Sequence, residues 1–110
     1  MVSAEPAGKG MVFSIVGNLD VLDSQSLEEM ASSAFQAGCS FFVFDLSQVT
    51  YMHSSGASSL LAIQKLAQPK GVRMVLVSCH PNVKRTLQII GLDGLFEMRD
   101  SLDEALASLS

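Results

Sequence analysis

The fold is decided by residues 41–56, which read FFVFDLSQVTYMHSSG. The first four of them, Phe41–Phe44, are continuously apolar, as is typical of a strand buried on both faces of a parallel sheet with helices on either side. A helical pattern begins at Ser54 and continues to about Ala67, and Pro69 ends it. The stretch therefore predicts a buried strand that leads directly into a helix.

Strand and helix patterns also alternate before this stretch. Residues 11–16 form a short apolar run ended by Gly17, which predicts a strand and its turn. Helical spacing begins after Asp20, and Gly38 closes the predicted helix. Its buried face is expected to contain Leu27, Met30, Ala31 and Ala34, which recur at intervals of three and four.

The alternation continues after residue 67. We expect a strand at residues 72–77, followed by a helix that begins at Pro81 and has Val83, Leu87 and Ile90 on its inner face. A short strand at residues 95–98 and a terminal helix capped by Ser101 are expected after it. The order of elements predicts an α/β fold: a small domain with a mostly parallel four- to five-stranded sheet and about four helices.

Length and charge narrow the class of protein. The 110 residues suffice for one domain, expected at residues 11–110, with residues 1–10 as a flexible leader or a short edge strand near Met1–Ala4. Seven Lys and Arg against eleven acids, a net charge of −4, argue against nucleic acid as a partner. No apolar run approaches the roughly 20 residues of a membrane span, and residues 1–10 lack the apolar run of a signal peptide. We therefore expect a cytoplasmic protein without membrane insertion.

The sequence contains no recognisable catalytic, cofactor-binding or metal-binding motif. Phosphate-binding glycine loops, a nucleophile elbow and the HExxH pattern are all missing. His53, Cys79 and His80 follow neighbouring strands and offer three nitrogen and sulfur ligands, but a fourth ligand and paired spacing are missing, so no metal is expected. Cys39 precedes its strand and Cys79 follows the next one, roughly 16 Å apart, so both are expected to be free thiols.

The most informative segment for function is the turn at residues 53–56, His53-Ser54-Ser55-Gly56, named here the serine turn. Ser54, alone or with His53, is expected to cap the following helix, and Gly56 to let that helix pack closely. The turn lies at the carboxyl end of a strand, where α/β sheets place their sites. A phosphate on a serine there would meet a helix N-terminus, which tolerates negative charge.

Residues 44–56 resemble the signature of STAS domains, the anti-sigma factor antagonists of bacteria. Residues 17–20, Gly-Asn-Leu-Asp, resemble the turn that precedes the first helix in that family. Further blocks at residues 71–77, 83–87, 91–92 and 101–106 follow in the family's order. The resemblance covers roughly residues 11–109 and implies a small STAS-like domain.

The resemblance also implies a function. Members of the family bind an anti-sigma factor, typically a serine kinase of the histidine-kinase-like ATPase class, and so release a sigma factor. The kinase then phosphorylates a serine of the turn and breaks the complex. By position that serine is Ser55, with Ser54 as the alternative. The partner-binding residues implied by the resemblance are Asp20, His53, Ser54, Ser55 and Gly56; Asp20 is also expected to cap its helix.

One position departs from the family pattern: His53 stands where the family has an aspartate before the two serines. That acid accompanies phosphorylation in the family, so its replacement leaves a second function open. In this alternative the domain is a non-phosphorylated scaffold or regulatory subunit of a stress-signalling complex or of a lipid-transport ABC system. A third class, an enzyme that uses His53 and Ser55, is disfavoured because adjacent side chains seldom point toward each other. The oligomeric state stays open, a homodimer included.

Overall fold

The computed structural model describes residues 1–109 and confirms the expected α/β class. Within these residues a five-stranded sheet has the order β1-β2-β3-β4-β5; β1 is antiparallel to β2, and the other neighbours are parallel. The elements are β1 (Val2–Ala7), β2 (Gly10–Val16), α1 (Val21–Gln36), β3 (Phe41–Gln48), α2 (Ser54–Ala67), β4 (Arg73–Val77), α3 (Pro81–Ile89), β5 (Glu97–Arg99) and α4 (Leu102–Leu109), with 3₁₀ turns at Gln68–Lys70 and Asp93–Leu95.

The sheet is covered by helices on both faces, as the continuous apolar run of β3 predicts. Alternate residues of a strand point to opposite faces. One set, including Phe42 and Phe44, packs with apolar residues of α1, α2 and α3. The other set, including Val43 and Val75, packs against Ala105 of α4. The parallel order requires each chain crossover to return along the sheet, which brings the carboxyl ends of β2, β3 and β4 to one edge.

Three phenylalanines form the centre of the larger core. The rings of Phe13 and Phe44 stack at 4.9 Å, and Phe42 meets Phe13 edge-on at 5.5 Å. All three side chains are fully buried. Burial of each contributes roughly 2–3 kcal/mol to stability, which fixes β2 against β3 beneath the loops of the functional site.

Three local expectations differ from the structure. The first strand is not confined to Met1–Ala4: Val2–Ala7 pairs with β2 over its whole length as an edge strand. Ile90 does not face the core but is 41% exposed, because α3 ends one residue earlier, at Ile89. The last strand begins at Glu97, since a 3₁₀ turn occupies Asp93–Leu95.

Candidate functional site

The loops that follow β2 and β3 run side by side at the carboxyl edge of the sheet. The Gly17 amide donates to the carbonyl oxygen of Gln48 at 3.1 Å, and Leu19 forms an isolated parallel bridge with Met52. Leu19 and Met52 are both fully buried. The bridge anchors the two loops together, so Asp20, the next residue after Leu19, lies at the same edge as the serine turn that follows Met52.

Asp20 is the N-cap of α1, as expected. Its backbone is extended, and its Oδ1 accepts a hydrogen bond from the Asp23 amide at 2.9 Å. The carboxylate satisfies one of the amides that a helix leaves unpaired at its start, and its negative charge is favourable at that end of the helix. Asp20 nevertheless remains exposed, so its second oxygen is accessible to a partner.

The expected side-chain cap of α2 is wrong. His53 is the N-cap residue, no side chain makes a capping hydrogen bond, and Ser54 is already the first helical residue. Because Ser54 has helical backbone angles, its hydroxyl is not placed over the amides that follow. The imidazole of His53 packs edge-on against Tyr51 instead, with ring centroids 5.0 Å apart. The start of α2 is therefore uncapped by side chains within residues 1–109, and the turn is held by backbone bonds from the Gly56 and Ala57 amides to the carbonyl of His53.

The two serines of the turn differ in accessibility. Ser54 is exposed and Ser55 is half-buried. Gly56 is buried because it lies against Leu19: a Cβ at this position would stand 2.9 Å from the Leu19 side chain and 3.0 Å from its carbonyl oxygen. The close approach expected of Gly56 is thus real, and its partner is the β2–α1 loop.

The loop after β4 reaches the same edge from the other side. The Asn82 side chain donates to the carbonyl oxygen of Thr50 at 3.4 Å, and Nδ1 of His80 accepts from the Asn82 amide at 3.1 Å. His80 is therefore the N-cap of α3. No group of three His, Cys, Asp or Glu side chains that could hold a metal ion occurs within residues 1–109, so the structure does not bring His53, Cys79 and His80 together as ligands.

Both cysteines are free thiols, as expected from their places at opposite strand ends. Burial raises the pKa of the Cys79 thiol from 9.0 to about 11, and the nearby Lys84 ammonium opposes this shift only in part. A thiol of this kind stays protonated at neutral pH and is a poor nucleophile. Cys79 is half-buried and packs against the larger core.

Helices α1 and α2 border an open cleft of about 290 Å³ beside the serine turn. In this cleft, named here the α1–α2 cleft, Ser59 Oγ donates to Glu28 Oε2 at 2.8 Å. The polar residues that line it are Ser24, Gln25, Glu28, Ser55, Ser58 and Ser59. The sequence reasoning missed these residues apart from Ser55. The spacing of the apolar residues of α1 could have indicated Ser24. It lies three residues before Leu27, on the same buried face of the helix.

These features define a small α/β domain that displays the starts of α1, α2 and α3 and two serines at the carboxyl edge of a mostly parallel sheet. The sequence model of the STAS domain family matches residues 2–105. The chain belongs to this family, and the match includes most of the segment that the sequence analysis set apart as leader or edge strand.

Curated relatives are named as anti-sigma factor antagonists. The chain is 29% identical over 99 residues to the anti-sigma-F factor antagonist RsfB of Mycobacterium tuberculosis, which is 89% of this chain and 80% of the relative. It is also 29% identical over 100 residues to the anti-sigma F factor antagonist of Paenibacillus polymyxa, covering 90% of this chain and 86% of that one. The chain is thus similar to both relatives over about nine-tenths of its own length.

Solved structures show the same fold. The unphosphorylated form of the anti-sigma factor antagonist SpoIIAA superposes with a TM-score of 0.88 and 21% identity, over 99% of this chain and 96% of that one. The phosphorylated form of SpoIIAA from Bacillus has a TM-score of 0.82 and 22% identity, over 100% of both chains. Among residues 1–109 no helix is both long and apolar enough to cross a membrane.

Proposed function

We infer that this domain is a cytoplasmic anti-sigma factor antagonist, a binding protein rather than an enzyme, switched by phosphorylation of Ser55. In the unmodified state it binds an anti-sigma factor of the serine kinase class through Asp20 and the serine turn, and the sigma factor is released. The observation that carries the proposal is the bridge between Leu19 and Met52, because it puts Asp20 and the serine turn on one surface.

Accessibility supports this use of the surface. Asp20, His53 and Ser54 are exposed, and Ser55 is half-buried at the second position of α2. A kinase can reach a half-exposed hydroxyl at a helix start with little unfolding of the domain. Transfer then forms a bond from Ser55 Oγ to the γ-phosphorus of ATP, breaks the bond to the bridging oxygen of ADP, and passes the hydroxyl proton to a base of the kinase.

Exposed apolar side chains beside the serine turn support a protein partner. Val21, Leu22 and Tyr51 are 59%, 73% and 50% exposed. Val21 lines the α1–α2 cleft with Ser55, and Tyr51 packs on His53. Large apolar side chains exposed next to polar groups are typical of protein interfaces, which combine apolar contacts with hydrogen bonds.

A phosphate at Ser55 would change the surface without unfolding it. It adds about −1.5 to −2 charges at the start of α2, where the helix dipole and the unpaired first amides stabilise an anion. The α1–α2 cleft is lined by the Glu28 carboxylate and by no Lys or Arg. The phosphate therefore remains uncompensated by cations there, and a closely packed partner would have to desolvate it, which disfavours the complex.

The test is a calorimetric titration of the purified anti-sigma kinase from the same organism with four forms of the domain. Wild type, Ser55→Ala and the control Ser26→Glu, an exposed position on α1, are expected to bind with Kd values within about threefold of one another. Ser55→Glu is expected to bind at least about tenfold more weakly, or about 1.4 kcal/mol. Equal binding by Ser55→Glu contradicts the switch, and the absence of binding by all four forms contradicts the choice of partner.

A second function is favoured by one observation: His53, which replaces the family's aspartate, contacts Tyr51 and makes no capping bond to the serine turn. It would be the non-phosphorylated scaffold or regulatory subunit named above. His53→Asp distinguishes the two functions. If the site is a poor but real phosphoacceptor, this variant gains phosphate faster than wild type in the presence of kinase and ATP. If both forms stay unmodified while binding a partner complex, the scaffold is the better description.

A further inference from the structure

A hydrogen bond between two side chains joins α1 to α2 beside the serine turn. Ser59 Oγ donates to Glu28 Oε2 at 2.8 Å. The two partners differ in accessibility: Ser59 is 4% exposed, whereas Glu28 is exposed on the surface of α1. A hydroxyl has one proton and therefore donates one hydrogen bond at a time. Glu28 keeps the Ser59 proton only as long as no stronger acceptor reaches it.

Ser55 and Ser59 lie on one face of α2. They are four residues apart in the helix, and both line the α1–α2 cleft. Side chains at this spacing are neighbours, with Cβ atoms about 5–6 Å apart, and the Cα–Cβ bonds of a helix tilt toward its N-terminus. The Ser59 side chain thus leans toward Ser55, and a phosphoryl group on Ser55 Oγ comes within hydrogen-bond reach of the Ser59 hydroxyl.

Phosphorylation of Ser55 therefore creates a competition for the Ser59 proton. A phosphoserine carries about −1.5 to −2 charges at pH 7 and three strong acceptor oxygens, against the single charge of Glu28. Among the described residues no Lys or Arg lines the cleft, so the two anions repel each other. The phosphate is held covalently one turn before Ser59. Because Glu28 is exposed, its carboxylate can turn into water at little cost, and Glu28 is the acceptor that leaves.

We propose that a phosphate on Ser55 takes the Ser59 hydrogen bond from Glu28 and releases that carboxylate from α2. The inference rests on the proposed function and extends it, because it adds Ser59 and Glu28 to the switch. In the unmodified domain, the bond holds the Glu28 charge against α2. In the phosphorylated domain, Ser59 anchors the phosphate, and the released Glu28 carboxylate adds to the negative charge that a closely packed partner must desolvate.

The exchange can be measured without a kinase, on domain that carries phosphoserine at position 55 incorporated during translation. A ³¹P NMR titration gives the second pKa of the phosphate, which is about 6 without specific contacts. A hydrogen bond to the charged form lowers a pKa, so Ser59→Ala is expected to raise the phosphate pKa by about 0.5 pH unit, or about threefold in the dissociation constant. Ser59→Thr keeps the hydroxyl and is expected to keep the wild-type value. Ser26→Ala, at an exposed position on α1 outside the cleft, is the matched control and should leave that value unchanged. Asp20 and His53, the titratable groups at the starts of α1 and α2, are present in every form compared.

The other half of the exchange is measured at Glu28. In the unmodified domain, Ser59→Ala is expected to change the ¹³C shift of the Glu28 carboxyl group, because it removes the hydrogen bond. In the phosphorylated domain, the same substitution is expected to leave that shift unchanged. The carboxyl group of Glu29, an exposed neighbour outside the cleft, is the internal control and should not respond in either form.

The outcomes separate the exchange from the proposed function. An unchanged phosphate pKa in Ser59→Ala, or an equal rise in Ser26→Ala, overturns the exchange, and so does a Glu28 carboxyl shift that still responds to Ser59→Ala after phosphorylation. If both measurements agree with the exchange but the phosphorylated domain binds the anti-sigma kinase as tightly as the unmodified one, the proposed function fails and the exchange stands. If phosphorylation prevents binding and the exchange is absent, the proposed function stands and Ser59 and Glu28 have no part in it.

Discussion

Leu19 and Gly56 are in such close contact that a single added carbon at Gly56 would stand 2.9 Å from the Leu19 side chain and 3.0 Å from its carbonyl oxygen. This contact seats the start of α2 on the β2–α1 loop. It therefore sets the position of the serine turn relative to Asp20, in addition to the bridge between Leu19 and Met52.

Gly56→Ala should be destabilising. The new methyl group must displace fully buried Leu19 or its backbone, and overpacking of this kind costs about 1–3 kcal/mol, partly offset by the better helix propensity of alanine. We expect a net loss of about 1–2 kcal/mol in the free energy of unfolding, measured by urea denaturation. The control is Gly94→Ala, at a position with open space for a Cβ, where the change should stay within about 0.5 kcal/mol. Equal stability of the two variants would show that the contact is looser than described.

The two roles of Asp20 can be separated by substitution. Asp20→Ala removes the bond from the Asp23 amide and should cost about 1 kcal/mol of stability. Asp20→Asn keeps an oxygen over that amide but removes the charge, so its stability should fall by no more than about 0.5 kcal/mol. Thermal unfolding gives both values. If Asp20→Asn loses kinase binding, the negative charge of Asp20 takes part in binding. If its binding is unchanged, Asp20 serves only as the helix cap.

Ser24→Ala is expected to stabilise the protein. It removes a buried hydroxyl with no partner among residues 1–109 and improves helix propensity. Ser26→Ala, on the same helix but exposed, measures the propensity gain by itself. The difference between the two variants in urea denaturation should be about 1–2 kcal/mol in favour of Ser24→Ala. A stability loss in Ser24→Ala would mean that the hydroxyl has a partner in solution, such as a bound water.

The Cys79 thiol should respond to alkaline pH later than an ordinary cysteine. Its pKa is raised to about 11 by burial, so in Cys39→Ser, which leaves Cys79 as the sole thiol, the alkylation rate with iodoacetamide should keep rising from pH 9 to pH 11. At pH 8 the thiolate fraction of Cys79 should be about 100-fold smaller than that of a thiol with the ordinary pKa, because the two pKa values differ by about two. A rate that levels off near pH 9 would contradict the burial.

The same shift has a consequence for stability. Because the folded pKa lies above the unfolded one, the folded state holds the proton more tightly, and this contribution is fully present below pH 9. It is lost as the pH rises from 9 to 11. Cys39→Ser should therefore lose stability over this range relative to a variant that also carries Cys79→Ala. A constant difference between the two variants across this range would show that the folded protein does not hold the proton more tightly.

Much of the fold was predictable because its signals are local. The run Phe41–Phe44 predicts a strand covered on both faces, and the apolar spacing of α2 gives its bounds, Ser54 to Ala67, as observed. β1 was harder to predict because an edge strand needs little apolar content, and Pro6 is tolerated there.

The site was predictable only in part. The family resemblance brings Asp20 together with the serine turn, and the structure places them at one edge of the sheet. The cap at Ser54 failed because Ser54 is itself the first helical residue, and the ring of His53, the N-cap residue before it, packs against Tyr51 instead of capping the helix. The partnership of Ser59 with Glu28 depends on how α1 and α2 are rotated against each other, which neither helix encodes alone.

The central claim is that Ser55 receives a phosphate. Its most direct test is to incubate wild type, Ser54→Ala and Ser55→Ala with the cognate anti-sigma kinase and Mg-ATP, and to map the phosphate by mass spectrometry. We predict one phosphate on Ser55 in wild type and in Ser54→Ala, and none in Ser55→Ala. Phosphate on Ser54 or elsewhere, or an unmodified wild type with an active kinase, would contradict the claim.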